Sequence, residues 1–185
     1  MSKIDNIEPK KKKEMSWTSF FILLGLIILF RLFVLEPHSV SGSSMDDTFK
    51  NKDYVLVDKI SYRFKAPQKG DVIVFNPPAR AENKNRFIKR IIATSGDTVE
   101  VKDGITYINN EAMNEKFVIY TSLKDSPAIT LKDNEFFVMG DNRYVSYDSR
   151  YWGPITKDEI QGRVFVRLYP FNKIGFFPGI KEYNK

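Results

Sequence analysis

Hydrophobic positions divide the chain into two unequal parts. Trp17 to Leu35, WTSFFILLGLIILFRLFVL, is one apolar run broken by a single charge, Arg31. A helix rises about 1.5 Å per residue, so this run just crosses a hydrocarbon core about 30 Å thick. No apolar run of that length follows. Instead come short runs rich in β-branched and aromatic residues, each bounded by turn formers. YVLVDKI (Tyr54 to Ile60) is the first, and VIVF (Val72 to Phe75) lies between KGD and the prolines Pro77 and Pro78. RFIKRIIA (Arg86 to Ala93) ends at SGD. VEVKDGITYINNEAM reads as successive hairpins, with Asp103-Gly104 and Asn109-Asn110 as tight-turn pairs. NEFFVMGDN and GRVFVRLYPF supply the last strands. The pattern predicts a mostly β, antiparallel sandwich or barrel after one helix. Residues of about 101–134 are the most loosely patterned and are expected to form a small inserted subdomain. No internal repeat is present.

The run Lys10 to Lys13 precedes the apolar segment. Basic residues beside a span remain in the cytoplasm. The expected organisation is a cytoplasmic basic tail over 1–16, a single-pass transmembrane anchor over 17–35, and an extracytoplasmic domain over 36–185. Arg31, four residues from the end of the run, would snorkel to the interface. A cleaved signal peptide needs a shorter apolar core followed by a small-x-small site. LEPHSV, which follows here, offers none.

Composition narrows the chemistry. In 185 residues, 42% are hydrophobic, with 15 Phe and 9 Tyr, enough for a core. The net charge is +6, spread along the chain apart from the early lysine run, which argues against a nucleic-acid partner. There is no cysteine, so disulfides and thiolate metal sites are excluded. The one histidine, His38, cannot alone build a histidine metal site, and no cofactor is expected.

Three stretches carry candidate chemistry. VSGSSMDDTF (Val40 to Phe49) follows the apolar run and holds Ser41, Ser43 and Ser44. It is either a flexible linker or the seat of a nucleophile. A serine hydroxyl needs a base. His38, three residues past Leu35, is expected at the membrane surface as an interface residue. Strand side chains alternate faces, so Lys89 shares one face with Phe87 and Ile91, and Arg90 shares the other with Ile88 and Ile92. If one face is core, one cation is partly buried. Burial lowers a lysine pKa, and a neutral amine can serve as a general base. The alternative is an edge-strand lysine that guards against aggregation. The third stretch is GDNRYVSYDSRYWG (Gly140 to Gly153). It fails as a calcium loop, because Arg143 stands two residues after Asp141. Asp148, with Arg143 and Arg150 nearby, suggests a local salt-bridge network.

Taken in order, the anchor, SGSSM, KGDVIVF, FIKRIIATSGD and GDNR…SYDSRYWG resemble the type I signal peptidases, over most of residues 40–167. The resemblance implies a serine endopeptidase that removes N-terminal signal peptides from exported preproteins. The serine before Met, Ser44, would be the nucleophile, and the lysine of the KR pair, Lys89, its base. Ser146 would orient the lysine. Asp148, Arg150, Asp141 and Arg143 would support the site. The family fold is mostly antiparallel β with a less regular inserted domain. Partners implied are preprotein signal peptides, membrane lipid and the protein translocon. Small residues at the first and third positions before the cut need two shallow apolar pockets. By position relative to the motifs, Val40, Met45, Phe49 and Ile88 would wall them. Extended substrate would add as a strand beside residues 40–44 and 86–88.

The chain departs from the family pattern at three places. Some relatives place a hydroxyl for the oxyanion two residues before the nucleophile, where this chain has Gly42. A backbone amide or Ser43 would then have to supply a second donor beside the Ser44 N–H. Asp47 stands where proline is common, and Tyr144 or Val145 where asparagine is common. A changed turn is expected at Asp47. Two rival classes are a signal-peptidase-like assembly factor without catalysis, for instance for pilus subunits, and a self-cleaving repressor. The first would lack the Ser or the Lys, and both are present. The second predicts a DNA-binding domain and no anchor.

Overall fold

The structure, a computed structural model, describes residues 16–46, 48–81, 85–118, 121–122 and 124–177, with the backbone alone for 29–33. The basic tail with Lys10 to Lys13, Asp47, and the side chain of Arg31 lie outside what is described.

Helix α1, Trp17–Phe33, carries apolar side chains that are exposed along the helix from Trp17 to Ile28, Gly25 apart. It is two residues shorter than the apolar run. Its 17 residues span about 26 Å, and among the described residues no helix is long and apolar enough to cross a membrane. The sheet is what cuts the helix short. Leu35 belongs to strand β1, Leu35–Ser39, where it pairs with Asp58. The sequence did not announce β1, because LEPHS lacks strand formers. Pro37 is tolerated there because β1 is the end strand of its sheet.

The main sheet runs β1, β2 (Tyr54–Asp58), β11 (Ile160–Tyr169), β3 (Val72–Phe75), β4 (Phe87–Ala93), β9 (Glu135–Met139) and β10 (Ile155–Thr156). The short strand β12, Gly175–Phe176, adds to β11, and every neighbouring pair is antiparallel. A second, four-stranded sheet runs β7 (Glu111–Ala112), β6 (Ile105–Ile108), β5 (Thr98–Lys102), β8 (Ser126–Thr130). It departs from β4 and returns to β9, which pair with each other. Both of its hairpin turns use left-handed backbone. Asp103 and Gly104 have φ of 51° and 76°, and Asn109 and Asn110 have 52° and 69°. These are the values a type I′ turn demands.

Two short helices complete the fold, α2 (Ser61–Phe64) and α3 (Ser149–Trp152). The main sheet is covered on both faces, so VIVF is buried throughout and reads as a continuous apolar run. Val72 and Val74 join Val40, Met45, Phe49, Val55, Val57, Ile88 and Val164 on one side. Ile73 and Phe75 join Ile91, Phe136, Val138, Trp152 and Ile155 on the other. A third cluster, including Ile92, Val99, Phe117, Leu131, Phe137 and Met139, ties the two sheets together. Each such side chain contributes about 1.5–3 kcal/mol when fully buried.

Candidate active site

Strand β4 positions the central lysine. Its neighbour β3 pairs with it from Val72↔Arg90 to Phe75↔Phe87, whereas β9 pairs with it only from Arg90 onward. On the β9 side, residues 87–89 therefore have no strand partner among the described residues, and the turns after β1 pack near them. There Lys89 Nζ donates to Ser44 Oγ at 2.7 Å. Lys89 is 4% exposed, with its ammonium 5.3 Å from the centroid of the Phe87 ring. Burial drives the Lys89 pKa down to about 8, against an opposing pull from Asp148 and Asp141.

Arg90, the next residue, is also wholly buried. One cation of the pair was expected to be buried, and the structure buries both, because neither face of β4 meets solvent here. Arg90 Nε and Nη2 donate to the two Asp141 carboxylate oxygens at 2.8 and 2.6 Å. Its Nη1 reaches the Gly70 carbonyl at 3.0 Å, and its guanidinium lies 4.4 Å from the Phe117 ring centroid. Thr48 Oγ1 donates to the same Asp141 at 2.5 Å. The segment that carries Ser44 is thereby tied to the Arg90–Asp141 pair.

The Gly140–Gly153 loop closes the site from behind. Asn142 N–H donates to the Ser44 carbonyl at 3.0 Å. Gly140 is required here by close approach, since a Cβ at this position would overlap the Ser44 carbonyl and the Ser146 side chain. Gly140 N–H donates to Ser146 Oγ at 3.2 Å and to Asp148 Oδ2 at 3.1 Å. Asp148 also caps α3 and receives Arg150 Nε and Nη2 at 2.8 and 2.9 Å. Arg150 Nη2 in turn donates to the carbonyls of Arg143 and Ser146.

The expected network around Asp148 is thus half right. Arg150 pairs with it, but Arg143 does not. Arg143 instead reaches the inserted segment, donating to Glu115 Oε2 at 2.8 Å, to Glu115 Oε1 at 2.5 Å and to Thr106 Oγ1 at 3.0 Å. Glu115 was missed because its stretch shows no strand or turn pattern that would bring it beside Arg143. Ser146 holds the Gly140 backbone, and the hydrogen bond recorded for Lys89 Nζ runs to Ser44.

A cavity of about 490 Å³ opens beside Ser44, lined by His38, Ser39, Ser41, Ser44, Asn85, Arg86, Phe87 and Ile88. Of the residues proposed as pocket walls, Ile88 lines it. Val40, Met45 and Phe49 sit in the core cluster behind it, with Phe49 fully buried under the Arg167 guanidinium. His38, expected at the membrane surface, lines this cavity. Its half-buried ring has a lowered pKa, from desolvation first and the charge of Arg86 second. Gly42 has a φ of +87°, and its N–H donates to Asn51 Oδ1. That amide is therefore engaged. Among the described residues the Ser44 N–H has no recorded acceptor.

A buried amine bonded to a serine hydroxyl, at the mouth of a cavity with a free strand edge, is the arrangement that peptide hydrolysis needs. Residues 14–169 match the family model described as signal peptidase, peptidase S26. The chain belongs to this family. It is an enzyme, a serine peptidase of the signal peptidase class. It is 36% identical to the probable signal peptidase I-2 of Synechocystis sp., covering 91% of this chain and 82% of that one. It is 33% identical to signal peptidase IB of Staphylococcus aureus strain MRSA252, over 90% and 95%. A crystal structure of a signal peptidase I from Enterococcus faecalis is 30% identical, covers 54% of this chain and 97% of that one, and has a TM-score of 0.44.

Proposed function

We propose that Ser44 is the nucleophile and Lys89 its general base in the removal of signal peptides from exported preproteins. The observation that carries this reading is the 2.7 Å bond between Lys89 Nζ and Ser44 Oγ inside a buried site. Burial holds a large fraction of the lysine neutral near pH 8. The neutral amine accepts the Ser44 proton as Oγ attacks the scissile carbonyl carbon. The oxyanion that forms is met by the Ser44 N–H. The tetrahedral intermediate collapses, the C–N bond breaks, and the Lys89 ammonium gives its proton to the leaving amine. Water then attacks the Ser44 ester with Lys89 again as base, and the proton returns to Ser44 Oγ. No cofactor takes part.

Ser146, Asp148 and Arg150 support this step by fixing the Gly140 backbone against Ser44, and Asp141, itself held by Arg90, accepts directly from Thr48. Arg143 joins the same loop to the inserted subdomain. Substrate would add as a strand along the free edge of residues 86–88, facing 40–44. Ile88 forms one wall of its pocket, backed by Val40, Met45 and Phe49. The apolar segment from Trp17, helical to Phe33, serves as a single-pass anchor with the N-terminus cytoplasmic. The catalytic domain then lies outside the membrane, where preproteins leave the translocon. Cleavage of a purified preprotein carrying an Ala-x-Ala site tests the reading. Ser44→Ala and Lys89→Met are each expected to abolish cutting, and a Lys89→Met enzyme as active as wild type would sink the assignment.

A further inference from the structure

Helix α2 sits at the end of the sheet from which α1 departs. Leu35 pairs with Asp58, and Lys59 N–H donates to the Val34 carbonyl at 3.0 Å. α2 therefore starts two residues from the bond that holds the chain as it leaves α1. The helix is held firmly from beneath. Asp58 Oδ1 accepts from the Ile60 and Ser61 N–H groups, both at 3.0 Å. Tyr62 is buried, with its hydroxyl donating to Asp71 at 2.7 Å. This leaves Phe64 pointing outward, 81% exposed, between the exposed Arg63 and Lys65. A large aromatic side chain left in water forgoes its burial free energy.

Beside α2 lies an open cavity of about 440 Å³, lined by Lys59, Tyr62, Arg63, Lys157, Asp158, Ile160 and Gln161. Three cations face one carboxylate there. Lys59 also pairs with Glu36 at 3.2 Å, which holds it at this end of the sheet. An exposed apolar residue ringed by cations is the composition that binds an anionic bilayer surface. The neighbouring end of α1 puts that surface within reach.

We propose that α2 is a second membrane contact of this enzyme. Phe64 enters the boundary between headgroups and acyl chains, and Lys59, Arg63 and Lys157 receive the phosphate of an anionic lipid in the cavity beside it. This rests on the reading of α1 as a membrane anchor. One anchor lets a domain swivel about its exit point. A second contact at α2 fixes the tilt of the sheet, and with it the direction in which the Ser44 cavity faces the bilayer.

The chain has no cysteine, so single-cysteine labelling of the full chain is direct. An environment-sensitive fluorophore is placed at Phe64→Cys, at Leu26→Cys in α1, and at Ile105→Cys on the exposed second sheet. Each protein is reconstituted into vesicles of phosphatidylcholine and phosphatidylglycerol containing brominated lipid. Quenching at position 64 is expected to exceed that at 105 several-fold. If 64 is quenched no more than 105 while 26 is quenched, α2 makes no membrane contact and the proposal is overturned, with the anchor intact. If 26 is unquenched too, the anchor fails and the proposal falls with it. Charge reversal, Arg63→Glu with Lys157→Glu, or vesicles of phosphatidylcholine alone, are each expected to lower the quench at 64 at least twofold. An unchanged quench in both would overturn the anionic headgroup as the occupant.

Discussion

Lys89 and Arg90 are neighbours on one strand, both cationic and both buried, and the surroundings give them opposite uses. Arg90 has a carboxylate in direct contact, two hydrogen bonds to it, and a carbonyl and an aromatic ring besides. Its charge is matched in place, so it acts as a fixed structural cation. Among the described residues Lys89 has no such ion pair; its hydrogen bond goes to a neutral hydroxyl. Asp148 and Asp141 act on it only through space, and desolvation outweighs them. Whether a buried cation becomes a strut or a base depends on how close its counter-charge lies.

Exchange of the two residue types breaks this comparison most sharply. Lys89→Arg is expected to lose at least ~10³-fold in kcat/KM, because a guanidinium cannot give up its proton at working pH. Steady-state cleavage of the preprotein measures it, and a well-folded, active Lys89→Arg enzyme would refute the base assignment. On the other side, Asp141→Ala removes the carboxylate that matches the buried Arg90 charge. It is expected to destabilise the domain by about 3–5 kcal/mol, read from denaturant unfolding.

The pH dependence separates the two cations further. In the proposed mechanism the neutral form of Lys89 is the active one, so the rate is expected to rise with pH through a midpoint near 8. The same shift acts on stability. The folded pKa lies below the unfolded value of 10.5, so between about 8 and 10.5 the unfolded chain binds more protons and the domain gains stability as pH rises. Below that window the burial of the ammonium is a constant cost. Lys89→Met removes it and is expected to stabilise the domain at pH 7 by on the order of 1–3 kcal/mol, measured by unfolding at pH 7 and again at pH 10.5, where the gain should vanish. The smallest effect belongs to Asp148→Asn. Loss of that charge takes away the largest pull raising the Lys89 pKa, so the midpoint of the rate profile should move down, by less than about one pH unit. An upward movement would contradict the electrostatic account.

Much of the sheet was readable because its signals are local. VIVF, RFIKRIIA and the Asp103-Gly104 and Asn109-Asn110 turns state their own conformations. Strand β1 was not readable. LEPHS becomes a strand only through the partner that Tyr54–Asp58 offers it, and the same pairing shortens the apolar helix. The site divides in the same way. Alternation along β4 sends Lys89 and Arg90 to opposite faces, and that follows from the pleat alone. That both faces are buried follows from what covers the sheet.

The chain's own order of residues therefore settles which groups exist and which way each strand turns them. It supplies a serine in a short turn, a lysine flanked by apolar neighbours, and a glycine before Asp141 where a larger residue would not fit. Distance and dielectric are settled elsewhere. Ser44 and Lys89 are 45 positions apart, Arg90 and Asp141 are 51 apart, and Arg143 and Glu115 are 28 apart. No local rule encodes such meetings. They arise when the two sheets close over their shared cores and exclude water, and that exclusion is what lowers the pKa of Lys89.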